Sequence, residues 1–399
     1  MEKRMLLRRV ILLCVILACF CVPLVTGATE ERIATAWDTI RDVEISGDQV
    51  VLAQGSGVMF LFRPYRIVRY DIPRKELVNV TAQDEKYVSY SEPSVSAARI
   101  IWRNGELIGG QVSLQDITTN MSRILTSENA DQPRISGEYV AWETVGNYQM
   151  EFEPGEIVLD APPRIRNITY LDPPSLTVRN LRTGEEHRIP LHSHAEDRTL
   201  SLDGSLLAWD DPVNGTWQIF LHEFGNNVTW QLTDGPGSLR SPHISGDWVA
   251  WQDTGNSGDI VLHHLLSGTV KSIAEGPETQ GSPRISGDRV IWLEGKGENW
   301  TIRHYDISTG ETTMVAKIFS WKAECWISGE HVVYLTQNVS THQDEVYLVT
   351  LPARKVAEIP PTTTVLRTTT IPTPGFTAIV ALAGIAMILG VRRWRRLRP

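Results

Sequence analysis

The residues best suited to chemistry are His192, His194, Glu196 and Asp197, four titratable side chains within six positions. On an extended segment, alternating histidines point to the same side, and nearby carboxylates complete a donor set for a divalent cation. Tyr148 lies upstream in a long insertion with Glu151, Phe152, Glu153 and Tyr170. Together these groups form the one cluster in which acid–base work is conceivable, provided the fold brings them within hydrogen-bonding reach of one reacting atom. The plainer alternative is a polar connector whose charges face water. The chain contains no Ser-x-x-Lys, His-Glu-x-x-His, phosphate loop or Gly-x-Ser-x-Gly elbow. No cofactor motif is present, and no resident metal is expected.

Whatever positions that cluster is built from repeats. Three stretches nearly superimpose: Pro133–Trp142, Pro242–Trp251 and Pro283–Trp292, each reading Pro-x-Ile-Ser-Gly-Asp/Glu-x-Val-x-Trp. Cys325–Tyr334 is a fourth copy and Glu44–Leu52 a fifth, and two degenerate copies end at Trp102 and Trp209. The turn glycines are Gly47, Gly137, Gly204, Gly246, Gly287 and Gly329, with Ala97 in the second unit. Successive spacings of 50, 40, 67, 42, 41 and 42 set a basal period near 41. Each unit carries a short strand, a Gly-Asp-type turn, a strand rich in β-branched and aromatic residues, a third strand, a Ser/Thr-Gly turn and a fourth strand. Four strands in about 41 residues is the arithmetic of a propeller blade. The expected fold is therefore all-β: a seven-bladed β-propeller over residues 33–359 with four antiparallel strands per blade.

Hydrophobic patterning agrees. Val249-Ala250-Trp251 and Val290-Ile291-Trp292 have no polar face, so these strands need apolar cover on both sides, which neighbouring blades supply. Leu52, Trp102, Trp142, Trp209, Trp251, Trp292 and Tyr334 are expected as wedges between blades. The ring must also close. Either Ile33–Val43 supplies an outer strand to the last blade, or Glu345–Val349 and Lys355–Ile359 complete it unaided.

The two ends differ from this core. Residues 1–28 place Lys3, Arg4, Arg8 and Arg9 before an apolar run and then small residues, the order of a signal peptide. Residues 360–374 hold seven threonines and four prolines and read as an extended stalk. Residues 375–391 are uncharged and largely apolar, and 17 helical residues span roughly 25 Å, the short limit for a membrane helix. Five arginines follow in residues 392–399, a basic tail expected on the cytoplasmic side. These ends hold ten of the 38 basic residues but one of the 47 acidic ones, leaving 28 basic against 46 acidic and a net charge of −18 for residues 29–366. Such a surface repels phosphate backbones, and no nucleic-acid partner is expected.

Cysteine and asparagine use point to the same compartment. Only Cys325 lies beyond the targeting segment, which rules out an internal disulfide there, and its apolar neighbours suggest an inert buried thiol. Seven of thirteen asparagines sit in sequons: Asn79, Asn120, Asn167, Asn214, Asn227, Asn299 and Asn338. That enrichment fits a glycosylated outer surface.

The repeat units, coupled to the Asp-x-Ser-Thr-Gly turn at Asp306–Gly310, resemble TolB-type β-propeller repeats of archaeal cell-surface proteins over about residues 41–359. The tail resembles an archaeal PGF sorting signal: Pro374-Gly375-Phe376, then the apolar run, then the arginines. That resemblance implies recognition by an archaeosortase-like enzyme, cleavage near the motif and lipid attachment on the extracellular face of the membrane. Insertions fall after the motif tryptophan, on the face opposite the short Gly-Asp turns, so binding is expected there. The resulting expectation is a non-catalytic surface module for envelope structure or for recognition of a protein or glycan. The competing one is an extracellular carbohydrate-active hydrolase or lyase.

Overall fold

The computed structural model describes residues 27–353, except 37–38, 56–64, 82–89, 106–108, 127, 153–164, 196–197 and 257. The signal segment up to residue 26, Lys355–Ile359, the stalk, the apolar run with Pro374, Gly375 and Phe376, and the basic tail lie outside the described residues. No helix among the described residues is long and apolar enough to cross a membrane.

The described residues form one two-stranded sheet and seven four-stranded antiparallel sheets. Their innermost strands are Ile40–Ser46, Tyr90–Ser96, Ala130–Ser136, Leu200–Asp203, Leu239–Ser245, Thr279–Ser286 and Glu324–Ser328, in blades one to seven. In six blades the strands follow chain order. In the seventh the outermost strand is Thr29–Ala36, paired antiparallel to Asp344–Thr350 from Thr29↔Thr350 to Ala36↔Asp344. Thr29–Ala36 thus closes the ring, including Ile33–Ala36 of the stretch expected to do so, whereas Ile40–Val43 of that stretch belongs to the inner strand of blade one. Pairing removes the open edge that blade seven would otherwise expose. Two side-chain contacts fix the register: Arg32 meets Glu345 at 2.7 Å, and the Tyr334 hydroxyl donates to Glu30 at 2.6 Å.

Packing explains why the second strand of each blade is apolar throughout. Seven clusters of buried side chains exist, one for each junction between successive blades, including blade seven with blade one. Trp102, Trp142, Trp209, Trp251 and Trp292 are each at most 5% exposed, as are Leu52 and Tyr334. Each belongs to the cluster shared with an adjacent blade; Trp209, for example, packs with Leu176 and Ile189 of blade three. Cys325 is buried, with its thiol pushed up to about 12 by desolvation.

The repeated Ser-Gly pair has a separate physical cause. All six turn glycines have φ between 53° and 58°, and Ala97 has φ 51°. A positive φ at the first central residue alone is the II′ hairpin pattern, for which glycine is the natural residue. At six of the seven junctions the turn N–H also donates to the preceding blade. Gly47 donates to Ser328, Gly137 to Ser96, Gly204 to Ser136, Gly287 to Ser245 and Gly329 to Ser286 at 2.8–3.0 Å, and Gly246 to Asp203 at 2.6 Å. The motif therefore encodes a belt of hydrogen bonds around one face of the ring. Ala97, at the remaining junction, carries left-handed strain of about 1 kcal/mol.

The insertion in blade three is an extra hairpin. Tyr148–Phe152 pairs with Ile165–Tyr170 between the second and third strands of the blade.

Candidate functional site

The hairpin and the blade three–four connection bring together part of the titratable cluster. Tyr148 faces Tyr170 across the hairpin, and the Tyr170 ring stacks on His194 with centroids 3.9 Å apart. The other groups hold structure. His194 Nε2 is 2.8 Å from the Asp172 carbonyl, and His192 Nδ1 is 2.6 Å from Asp211 Oδ2. Glu196 and Asp197 lie outside the described residues. No group of three or more metal-ligating side chains forms among the described residues.

Beneath the histidines lies an ion network. Arg198, fully buried, donates to Glu143 and to Asp211 at 2.6 Å each and to the Ser193 carbonyl at 2.8 Å. Asp211 thus joins the histidine to the arginine. Burial pushes the Glu143 carboxyl up, and Arg198 counters that shift. Next to it Asp210 accepts from Thr199 N, Ser241 N and Arg240 Nε, stitching blade four to blade five.

Beside the hairpin is a groove of about 730 Å³. Its lining includes Asn129, Asn147, Asp172 and Arg188, with Pro173, Pro174 and Pro190 stiffening the wall. Arg188 is held by both oxygens of Glu128 at 2.6 Å.

A second collection of charge lies in the central channel, a cavity of about 190 Å³ lined by all seven inner strands. The motif position preceding Ile-Ser-Gly supplies one side chain per blade: Glu44, Ser94, Arg134, Ser201, His243, Arg284 and Trp326. Five inner strands carry a bulge just before it. There Asp42, Glu92, Gln132, Ser241 and Ser282 take φ values of 49–55°. The bulge re-aims the strand and lets one blade's side chain serve the next blade's backbone. Glu92 N donates to Asp42 at 3.1 Å, and Gln132 N donates to Glu92 at 2.6 Å. Deeper in, Glu44 accepts from the Ser94 hydroxyl at 2.8 Å and from Val95 N at 3.3 Å.

Burial shifts these groups toward neutrality. Desolvation, helped by Asp131, pushes Glu92 up to about 7, and desolvation with Asp42 pushes Glu324 up to about 7. Burial and the two channel arginines press His243 down to about 3, so its imidazole is neutral. For Glu324, the folded state holds a proton that the unfolded chain releases near pH 4.5. Stability from this group is therefore present at low pH and lost as pH rises through about 7. Glu324 is only partly buried, which reduces the effect. Glu324→Gln, which mimics the protonated form, is expected to stabilise by about 1–3 kcal/mol at pH 8 and by little at pH 4.5. Urea unfolding at the two pH values measures this.

Sequence reasoning passed over Asp42, Glu92, Arg134, His243, Arg284 and Glu324 as a site. The available signal was the variable position in an otherwise repeated motif: Glu, Ser, Arg, Ser, His, Arg and Trp where the flanking isoleucine and serine barely change.

Six of the seven sequon asparagines, Asn79, Asn120, Asn167, Asn214, Asn227 and Asn299, are exposed. Asn338 is half-buried, and its side chain accepts from Ser340 N and Thr341 N while donating to Glu345 at 3.2 Å.

No protein-family model matches the sequence, and no curated protein is similar to it. Solved structures do match in shape. Pyrococcus horikoshii acylaminoacyl peptidase is 15% identical with a TM-score of 0.55, over 77% of this chain and 50% of that one. The β-propeller domain of the Trilobed protease from Pyrococcus furiosus is 12% identical with a TM-score of 0.54, over 79% of this chain and 96% of that domain. That domain has an open velcro topology, whereas Thr29–Ala36 closes the ring here. TolB from Acinetobacter baumannii is 16% identical with a TM-score of 0.41, over 63% of this chain and 59% of that one. The chain spans about half the length of the matched peptidase. At these identities the likeness concerns architecture, and it agrees with the sheet order: the chain is a seven-bladed β-propeller.

Proposed function

We propose that this protein is a non-catalytic cell-surface β-propeller that recognises an envelope protein or glycan through the face bearing the blade-three hairpin. The groove of about 730 Å³ beside that hairpin carries the reading. It combines amide, carboxylate and guanidinium groups with a proline-stiffened wall, which suits hydroxyl-rich or peptide ligands and limits the ordering cost of binding. The histidines expected to do chemistry are engaged by Asp211 and the Asp172 carbonyl, which supports binding over turnover. The basic, apolar and small-residue order of the first 28 residues and the Pro374-Gly375-Phe376 tail support placement outside the cell, with the membrane and an archaeosortase-like enzyme as partners in anchoring.

The full chain, screened against envelope glycans and surface proteins with and without EDTA, tests this. Saturable, metal-independent binding that Arg188→Ala weakens is the expected result. The second reading, a carbohydrate-active hydrolase or lyase, is favoured by Glu92 and Glu324, whose protonation near pH 7 suits proton transfer. Turnover of a polysaccharide that Glu92→Gln or Glu324→Gln abolishes overturns the non-catalytic reading.

A further inference from the structure

Three cations around the channel are paired directly with carboxylates. Arg103 lies 3.3 Å from Glu92 and 3.1 Å from Asp131, Arg240 lies 2.9 Å from Asp210, and Lys322 lies 3.2 Å from Asp344. Arg134 and Arg284 differ. Among the described residues neither has a carboxylate within 4.0 Å. Their hydrogen bonds go to backbone carbonyls: Arg134 to Leu200 at 3.1 Å and Pro133 at 2.9 Å, Arg284 to Pro283 at 2.9 Å. Those bonds use part of each guanidinium's five donors.

His243 stands in the blade next to that of Arg284. Its Nδ1 accepts from Ile285 N at 3.2 Å, which in a neutral imidazole makes Nε2 the protonated, donating nitrogen. The three side chains come from blades three, five and six and line one cavity. Glu44, the acid on the same tier, is occupied by Ser94 and Val95. Glu44 and Glu324 attract these arginines across the channel without bonding to them, so guanidinium N–H groups and the His243 Nε2–H are left that no described carboxylate accepts. The two arginines repel each other in this confined space, and an anion between them relieves that repulsion while meeting the planar guanidinium fork.

We propose that the central channel binds a small oxyanion, a carboxylate or phosphate-type group, through the guanidinium groups of Arg134 and Arg284 and the Nε2–H of His243. The cavity of about 190 Å³ admits a group of a few heavy atoms and excludes a folded partner. Its occupant is therefore a free small anion or the charged end of a slender ligand. The site stands apart from the blade-three groove, and either can fail without the other.

The test is titration of the full chain by calorimetry with inorganic phosphate, acetate and glucuronate in a weakly binding chloride-free buffer. Phosphate binding is followed independently by its ³¹P line width. Saturable binding of at least one anion is expected, with Arg134→Gln and Arg284→Gln each weakening it about 10- to 100-fold. Arg123→Gln, which removes an equal charge from an exposed outer strand, leaves affinity unchanged. Preference for phosphate assigns a free inorganic anion, and preference for glucuronate over acetate assigns an acidic sugar. Should the glutamine variants lose native near-ultraviolet circular dichroism, Arg284→Lys keeps the charge and is expected to retain saturable binding. No saturable binding of any of the three anions overturns the proposal, as does unchanged affinity in folded Arg134→Gln and Arg284→Gln.

Discussion

Replacing Arg198 by methionine is expected to lower stability by about 3–5 kcal/mol, because it leaves two buried carboxylates without their cation. The guanidinium has no solvent exposure and bridges Glu143 in blade three to Asp211 in blade four. Asp211 in turn holds His192, so the change reaches the loop face as well as the core. The pH dependence identifies the cause. Without Arg198, Glu143 takes up a proton more readily in the folded state than in the unfolded one. The loss is therefore largest at pH 8 and shrinks as pH falls toward the ordinary carboxylate range. Arg198→Lys keeps the charge but cannot span both acids as a planar fork, and an intermediate loss is expected. Urea unfolding midpoints at pH 5 and pH 8 measure all three proteins. A pH-independent loss below about 1 kcal/mol would show that the network is hydrated.

Trp209→Ala is expected to cost about 3–5 kcal/mol, through lost transfer energy and the cavity left between blades three and four. Trp209 is 1% exposed and stacks on Phe220 with centroids 5.6 Å apart. Leu176 and Ile189 of the neighbouring blade cannot collapse into the gap, since both sit on sheets held by their own ladders. Trp209→Phe should cost less, because the indole N–H has no hydrogen-bond partner to lose. Trp230 provides the comparison: it lies on the outer strand of the same sheet and is 36% exposed. Trp230→Ala is expected to stay within about 0.5–1 kcal/mol of the parent. Equal losses at the two positions would contradict the inter-blade role of Trp209.

The repeat made the architecture legible because blade packing imposes one local rule seven times. A strand covered on both faces must be apolar throughout, as in Val249-Ala250-Trp251, and a II′ turn selects glycine, as at Gly246. Closure was not legible in the same way. Thr29–Ala36 is amphipathic like any outer strand, and its partner Asp344–Thr350 lies over 300 residues away. Only the geometry of a closed ring brings them together.

The site divides along the same line. By itself the sequence determined the blade count, the strand order within a blade, the loop face bearing the long insertion and the strongly acidic surface, since each follows from period, composition or chain order. It also marked His192, His194 and Tyr148 as chemically interesting. Only the tertiary structure decided that His192 serves the Arg198–Asp211 network and that His194 stacks on Tyr170. It also gathered Arg134, His243 and Arg284, from three different blades, around one channel. The physical reason is that an inner-strand side chain gains its charged neighbours across the ring axis, from segments tens to hundreds of residues distant. No local pattern along the chain records which charge it will meet.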